Sequence, residues 1–326
     1  VKPLKTFFEV GMKNLIPSEI LDFEKADGSF IERELPVVLR GGAKSWPAYE
    51  KWSPAFFTEK YGDVEVPMSN YRKDPYQSAK EKPRIKISEY LTLAQRIAAG
   101  HSDPNEDLYS AGWFFCRGYC ELLKDLNLPS YFKTNWAEPV QKAIGFENRS
   151  ILFGHPKVES PLHTDSFFVS TYFAMIRGQK RMRLVHPKYS QYVHNGYNVF
   201  DDDKLARLAD LGVPVYDCTI SEGDIVWIPP GWWHHVQNDT FTISITTNFV
   251  SSYHFLPFEQ QVRAVIIKPL LKLAAVKKEC LAQTPGYSMD NLESANYLQL
   301  ERIYLDHFQG ALDEGRGLVE GIAQAK

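Results

Sequence analysis

The sequence predicts a mainly β fold, a sandwich or barrel of short strands with helices before and after it, and three observations predict it. Between Ser150 and Ser252 six or more short segments are rich in β-branched and aromatic residues: 150–154, 168–176, 180–186, 215–220, 224–228 and 241–250. Turn signals separate them, among them Arg177-Gly178, Glu222-Gly223-Asp224 and Pro229-Pro230-Gly231. Outside this stretch the texture turns helical.

Taken in order, Leu35-Pro-Val-Val-Leu39 reads as extended and ends in the Gly41-Gly42 turn. Residues 52–62 read as a helix with Ser53 as its cap, Pro54 in the first turn and Gly62 as its stop. Residues 87–100 read as a second helix, with Ser88 as cap and Gly100 closing it. In the β region, Phe241-Thr-Ile-Ser-Ile-Thr-Thr alternates apolar residues with hydroxyls, and in a barrel one of those faces lines a cavity. From about Leu256 the pattern is helical: an apolar stripe over 258–276 interrupted by Pro269, then 291–312. The expected organisation is an α/β lead-in over 1–145, the β core over 146–252, and a helical region over 253–326. The last region either covers the open edge of the core or pairs with a second subunit through 262–276 to form a homodimer.

Composition narrows the function. The chain has 326 residues, 44% hydrophobic and 24% charged, which excludes a disordered, collagen-like or coiled-coil protein. Lys plus Arg is 37 against 40 for Asp plus Glu, so no broad attraction to nucleic acid or to an anionic membrane is expected. Four cysteines do not make a disulfide framework, and Cys116 and Cys120 are read as buried thiols in a reducing compartment. With no membrane-length apolar run and no signal-peptide core, a cytoplasmic protein is expected.

The chemistry starts at His163-Thr-Asp165, which ends a strand pattern; residues i and i+2 of a strand share a face, so an imidazole and a carboxylate converge. Alone this pair is unspecific. About seventy residues on, Gly223-Asp-Ile-Val-Trp-Ile-Pro-Pro-Gly-Trp-Trp-His-His-Val places His234 and His235 just past a Pro-Gly corner, where a later strand would return beside the first. Two imidazoles and one carboxylate form the facial triad that binds Fe(II) and leaves positions open. Neighbours on an extended segment point to opposite sides, so only one of His234 and His235 faces the cavity. Lys180 opens the strand Lys-Arg-Met-Arg-Leu-Val; pointing inward, it would be a costly buried charge unless a ligand carboxylate met it. Arg181 and Arg183, on the other face, are the candidates for solvent.

These residues resemble the JmjC/cupin-like family of Fe(II)- and 2-oxoglutarate-dependent oxygenases. The match runs through Gly154, Ser160-Pro-Leu-His163-Thr-Asp165, Arg177-Gly178-Gln-Lys180-Arg181, His186-Pro187, Gly223-Asp224, Ile228-Pro229, Trp232-Trp233-His234-His235-Val236 and Asn248-Phe249. Upstream, Pro36-Val-Val-Leu-Arg-Gly and Lys44-Ser-Trp46-Pro look like the family's lead-in, so the resemblance covers about Pro36 to Phe249. It is closest to the small hydroxylase branch typified by the asparaginyl hydroxylase factor inhibiting HIF.

The resemblance implies a double-stranded β-helix (jelly-roll, cupin) core. It puts the iron ligands on His163, Asp165 and His234, with His235 packed behind. It puts the lysine for the distal carboxylate of 2-oxoglutarate on Lys180, and further co-substrate positions on Ser160, Thr171, Asn248 and Tyr109. The stretch from His163 to Gly178 looks two residues longer than in the asparaginyl hydroxylase. The implied activity consumes O2, turns 2-oxoglutarate into succinate and CO2, and hydroxylates an unactivated C–H bond of a protein or peptide side chain. A small-molecule substrate, N-methyl demethylation, a non-redox metal cupin and a scaffold are the alternatives. The Cys/His clusters carried by many chromatin demethylases are missing, which favours hydroxylation. Trp232 and Trp233 either wall the pocket or pack at the barrel edge. Loops 71–82 and 191–203 are expected to shape the substrate groove, and Asp201-Asp202-Asp203 reads as a solvated acidic turn.

Overall fold

A run of β-branched and aromatic residues forms a strand where a neighbour can take its backbone hydrogen bonds and buried faces can take its side chains. The computed structural model describes residues 14–71, 82–138 and 149–264. In chain order its regular elements are β1 (Leu15–Pro17), β2 (Glu19–Asp22), β3 (Val37–Arg40), α1 (Pro47–Lys51), α2 (Pro54–Tyr61), β4 (Glu65–Pro67), β5 (Arg84–Lys86), α3 (Ile87–Ala98) and β6 (Ser110–Trp113). There follow β7 (Arg149–Gly154), β8 (Glu159–His163), β9 (Ser170–Arg177), β10 (Lys180–Val185), α4 (Asp202–Asp210), β11 (Val215–Ile220), β12 (Ile225–Ile228), β13 (Trp233–Asn238), β14 (Thr242–Phe249) and α5 (Phe255–Val262).

One sheet has the order β1-β11-β10-β13-β8 and a larger one the order β2-β3-β12-β9-β14-β7-β6. The two contribute to one core: Met182, Leu184, Cys218, Ile220 and Val236 from the first cluster with Val38, Leu152, Phe173, Met175, Val226 and Ile228 from the second. This is the mainly β sandwich with flanking helices that was expected. The far face of the five-stranded sheet is covered by α4, whose Leu205 and Leu208 pack with Leu162, Val185, Val199 and Val215. The far face of the seven-stranded sheet is covered by aromatic rings: Phe132 stacks on Tyr172 (4.6 Å) and Trp227 (5.7 Å), and Phe57 meets Phe153 edge-on at 4.9 Å. No helix among the described residues is long and apolar enough to cross a membrane.

Two glycines matter for this core. Gly178 turns β9 into β10 at φ +82°, and a side chain there would strike the Phe241 carbonyl. Gly154 ends β7 where a Cβ would collide with the Asn238 amide.

These sheets, up to Asn248, lie in a unit formed by the described residues up to Lys133 together with 149–165 and 170–248; residues 134–138, 166–169 and 249–264 belong to a second unit. In the second unit Asn135 Oδ1 accepts from the Ala137 and Val250 N–H groups, and Trp136 N–H donates to Val250 O (2.9 Å). The expected apolar helix begins there as α5. Its continuation past 264, Pro269, the 291–312 segment and most of the proposed pairing surface lie outside the described residues.

Several local expectations are corrected. Ser53 does cap α2, accepting from Phe56 N–H at 3.1 Å, but α3 starts at Ile87, and Ser88 instead donates to Gly62 O (2.9 Å). The acidic turn is a helix start: Asp201 Oδ1 accepts from Lys204 N–H at 3.0 Å and caps α4. Cys116 is only partly buried and Cys120 is exposed. Asp224, in the Gly-Asp motif, is a structural hub that accepts from Gly41 N–H, Ser221 N–H and the Arg40 guanidinium.

Candidate metal centre

The site is built where β8 and β13 pair. His234 lies opposite His163, whereas Val236 lies opposite Ser160, so β8 spends one more residue than β13 over this interval. That β-bulge restores the face of Ser160 and His163, which sit three apart and would otherwise point in opposite directions. Both now line one cavity, and the intervening Leu162, which also edges that cavity, packs in the outer cluster under α4. On β13 plain alternation operates. His234 faces the cavity, and His235 faces outward, with Nε2 3.2 Å from Glu159 Oε2 and its ring edge-on to Phe200.

Asp165 comes two residues after β8 ends. The ligating atoms of His163, Asp165 and His234 all lie within 4.8 Å of one another, and the two imidazole centroids are 4.2 Å apart. Each ring is tied at Nδ1 to a backbone carbonyl: His163 to Pro161 O (2.7 Å) and His234 to Trp232 O (3.1 Å). An Nδ1–H donor of this kind leaves Nε2 as the lone-pair nitrogen, the form in which imidazole binds a metal. Burial, helped by the neighbouring His163, pushes the His234 pKa down to about 4, so this ring is neutral at physiological pH. Asp165 Oδ2 accepts from the Thr171 hydroxyl at 2.5 Å, and that hydroxyl lies 3.2 Å from Asn248 Oδ1.

The cavity has a volume of about 440 Å³. Lys180 lines it from β10 and is fully buried; its ammonium donates to Tyr109 Oη (2.8 Å) and lies 4.9 Å from the Phe173 ring centroid. Among the described residues no carboxylate pairs with it. Burial lowers its pKa to about 7, and burial raises that of Tyr109 well above its usual value. Ser160, Thr171 and Asn248 line the same space, so the structure brings every residue singled out for the site into one cavity.

Some lining residues carried no motif in the sequence. Thr246 belongs to the hydroxyl face of the β14 alternation, and that face is the one turned inward. Asn195 and Gly196 come from the 191–203 stretch, and Tyr71 and Lys82 flank a stretch, 72–81, outside the described residues. Lys82 is partly buried, with its ammonium 5.9 Å from the Tyr71 ring centroid. Of the two readings left open for Trp232 and Trp233 the packed one is found, and one expectation, Arg183 in solvent, does not hold. Trp232 does not line the cavity; it packs in the core against Tyr216 and donates from Nε1 to Glu34 O. Trp233 instead donates to Ser190 Oγ. Arg183 is not in solvent: it is 6% exposed, bound to Asp217 Oδ1 (2.9 Å) and Val199 O (2.8 Å), and its guanidinium lies over the Phe200 ring.

Comparison with known proteins agrees with this architecture. The cupin-like domain model matches residues 24–255. Among curated proteins, the chain is 30% identical over 235 residues to "Lysine-specific demethylase JMJ21" of Arabidopsis thaliana, covering 68% of this chain and 24% of that protein. It is 28% identical over 245 residues to "2-oxoglutarate and iron-dependent oxygenase JMJD4" of Homo sapiens, covering 69% and 58%. To "Arginine-specific demethylase JMJ22" of Arabidopsis thaliana it is 28% identical over 247 residues, covering 70% and 44%. The matches thus span between about a quarter and three fifths of these relatives. The chain belongs to the cupin-like domain family.

Proposed function

We propose that this member of the cupin-like family is an Fe(II)- and 2-oxoglutarate-dependent oxygenase that hydroxylates a C–H bond in a protein or peptide side chain, as the small asparaginyl-hydroxylase branch does. The observation that carries the reading is Lys180, a fully buried cation without a carboxylate partner among the described residues, in the same cavity as two imidazoles and a carboxylate. Such a charge is costly to bury unless a ligand compensates it.

The donor set suits iron: two nitrogens and one oxygen in a cluster, with both rings oriented through Nδ1 and positions left for other ligands. His163, Asp165 and His234 would hold the metal, which when bound supplies the oxidative decarboxylation of 2-oxoglutarate and the oxidation of the substrate C–H bond. The chain's own residues do the rest. Lys180, with Tyr109 and Ser160 beside it, anchors the distal carboxylate of 2-oxoglutarate by charge-assisted hydrogen bonds. Phe173, Leu152, Ile228 and Val236 keep water from that end of the cavity.

The names of two relatives raise demethylation of lysine or arginine as the rival outcome. Lys82 weighs against it. It is a second cation on the cavity wall, again without a carboxylate partner among the described residues, and it disfavours a positively charged methylated side chain. A non-redox zinc site would have no use for Lys180.

Anaerobic titration with Fe(II) and 2-oxoglutarate, then succinate measurement on admitting oxygen, tests the reading. Wild type should release succinate, and His163→Ala and Lys180→Ala should not. Iron binding without 2-oxoglutarate binding would sink the oxygenase reading in favour of a metal cupin. Screening peptide pools for a mass gain of one oxygen then separates hydroxylation from loss of a methyl group.

A further inference from the structure

Asp165 is the only anionic donor of the triad, and one of its two oxygens is already engaged by Thr171. Thr171 is nearly fully buried on β9, beside β14, which carries Asn248. A threonine hydroxyl has one proton. When Thr171 gives that proton to Asp165 Oδ2, the 3.2 Å approach of the Asn248 side-chain amide is satisfied by the amide presenting its NH2 to Thr171 Oγ1. The hydrogen bonds then run in one direction, from Asn248 to Thr171 to Asp165.

We infer that Thr171 is a positioning residue, oriented by Asn248, that holds Asp165 to metal binding through a single oxygen. The inference rests on the metal reading of the triad and departs from a role for Thr171 in holding the co-substrate. A carboxylate released from Thr171 can turn, or bind a metal through both oxygens and take up a position that a chelating co-substrate and dioxygen need. The short hydroxyl-to-carboxylate bond prevents both, because swinging Oδ2 to the metal strands the buried Thr171 proton. Among the described residues Thr171 is the side chain that hydrogen-bonds Asp165, so the hydroxyl is what sets the carboxylate's angle.

Co(II) is the probe, since it occupies such a site without turnover and reports its coordination in visible absorption. In the full chain, Thr171→Val keeps the shape and removes the donor, and Thr171→Ser keeps the donor. Thr171→Val should bind Co(II) about 10- to 100-fold more weakly, with an altered visible band, and Thr171→Ser should restore both affinity and band. Asn248→Leu, which leaves Thr171 in place, should give a smaller loss of the same sign and guards against a folding defect in Thr171→Val. Wild-type Co(II) affinity and spectrum in folded Thr171→Val would overturn the inference, and a selective loss of 2-oxoglutarate binding in that variant would return Thr171 to the co-substrate. Failure of wild type to bind Co(II), or full binding by His163→Ala, would instead bring down the metal reading beneath it.

Discussion

Strand β10 carries one buried cation on each face. Lys180 points into the cavity, where it meets a tyrosine hydroxyl and ring faces. Arg183 points outward under α4, where Asp217 and a backbone carbonyl neutralise and satisfy it. The outer charge is neutralised within the fold; the inner one has no carboxylate partner among the described residues, which the proposed function accounts for. Adjacent residues on β13 repeat the contrast. His234 turns its Nε2 toward His163 and Asp165, while His235 meets Glu159 through Nε2 and keeps a buried Nδ1 without a partner among the described residues. On the outer face Arg183 and His235 each meet a carboxylate, whereas neither Lys180 nor His234 is hydrogen-bonded to one among the described residues.

The sharpest test of that division is the histidine pair. His234→Ala should abolish measurable Fe(II) or Co(II) binding, a larger loss than the about 100-fold expected from removing an outer partner. His235→Ala should keep metal binding and lose stability instead, read from the urea midpoint. Equal metal loss in both variants would erase the distinction between the faces.

The cation pair comes next. Lys180→Met should weaken 2-oxoglutarate binding about 10- to 100-fold, the loss of a hydrogen bond to a charged group, without destabilising the ligand-free protein. Arg183→Met should do the reverse, costing about 1.5–3 kcal/mol of stability by removing its hydrogen bonds to Asp217, which Arg181 still binds, and to Val199 O, with 2-oxoglutarate affinity kept in calorimetric titration.

A smaller effect concerns pH. The folded pKa of Lys180, about 7, lies below its unfolded value of 10.5. Between these the unfolded chain binds a proton that the fold does not, so stability rises with pH through that window, and the penalty is full below pH 7. Relative to Lys180→Met, ligand-free wild type should therefore gain stability from pH 7 to pH 10 in urea melts. In the same range 2-oxoglutarate binding should weaken as the ammonium is lost; a flat profile would mean that Lys180 is not the anchor. The smallest expected effect lies on the outer face, where Asp201→Ala removes the α4 cap and should cost about 1 kcal/mol with metal affinity unchanged.

Much of the β core was legible from local chemistry. The runs at 150–154, 180–186 and 215–220 became β7, β10 and β11 because β-branched and apolar residues there sit between strong turn signals. Strand β13 was harder to read, since Trp-Trp-His-His-Val-Gln has no clean period, and α4 was hidden behind an acidic turn whose Asp201 is in fact a cap. At the site, His163 and Asp165 were conspicuous as a pair, but alternation could not choose between His234 and His235; the family resemblance had to. Nothing local announced that Trp232 would pack in the core or that Arg183 would be buried.

By itself, then, the sequence determined the strand-rich class, the flanking helices and the set of residue types able to hold a metal and a carboxylate, because composition, period and turn chemistry act over a few neighbouring residues. The tertiary structure alone decided which face each side chain occupies. One bulge in β8 brings Ser160 and His163 to the same side, and the pairing of β10 with β13 and β11 sends Lys180 inward and Arg183 outward. Direction depends on register between strands far apart in the chain, and a shift of one residue would exchange the two faces.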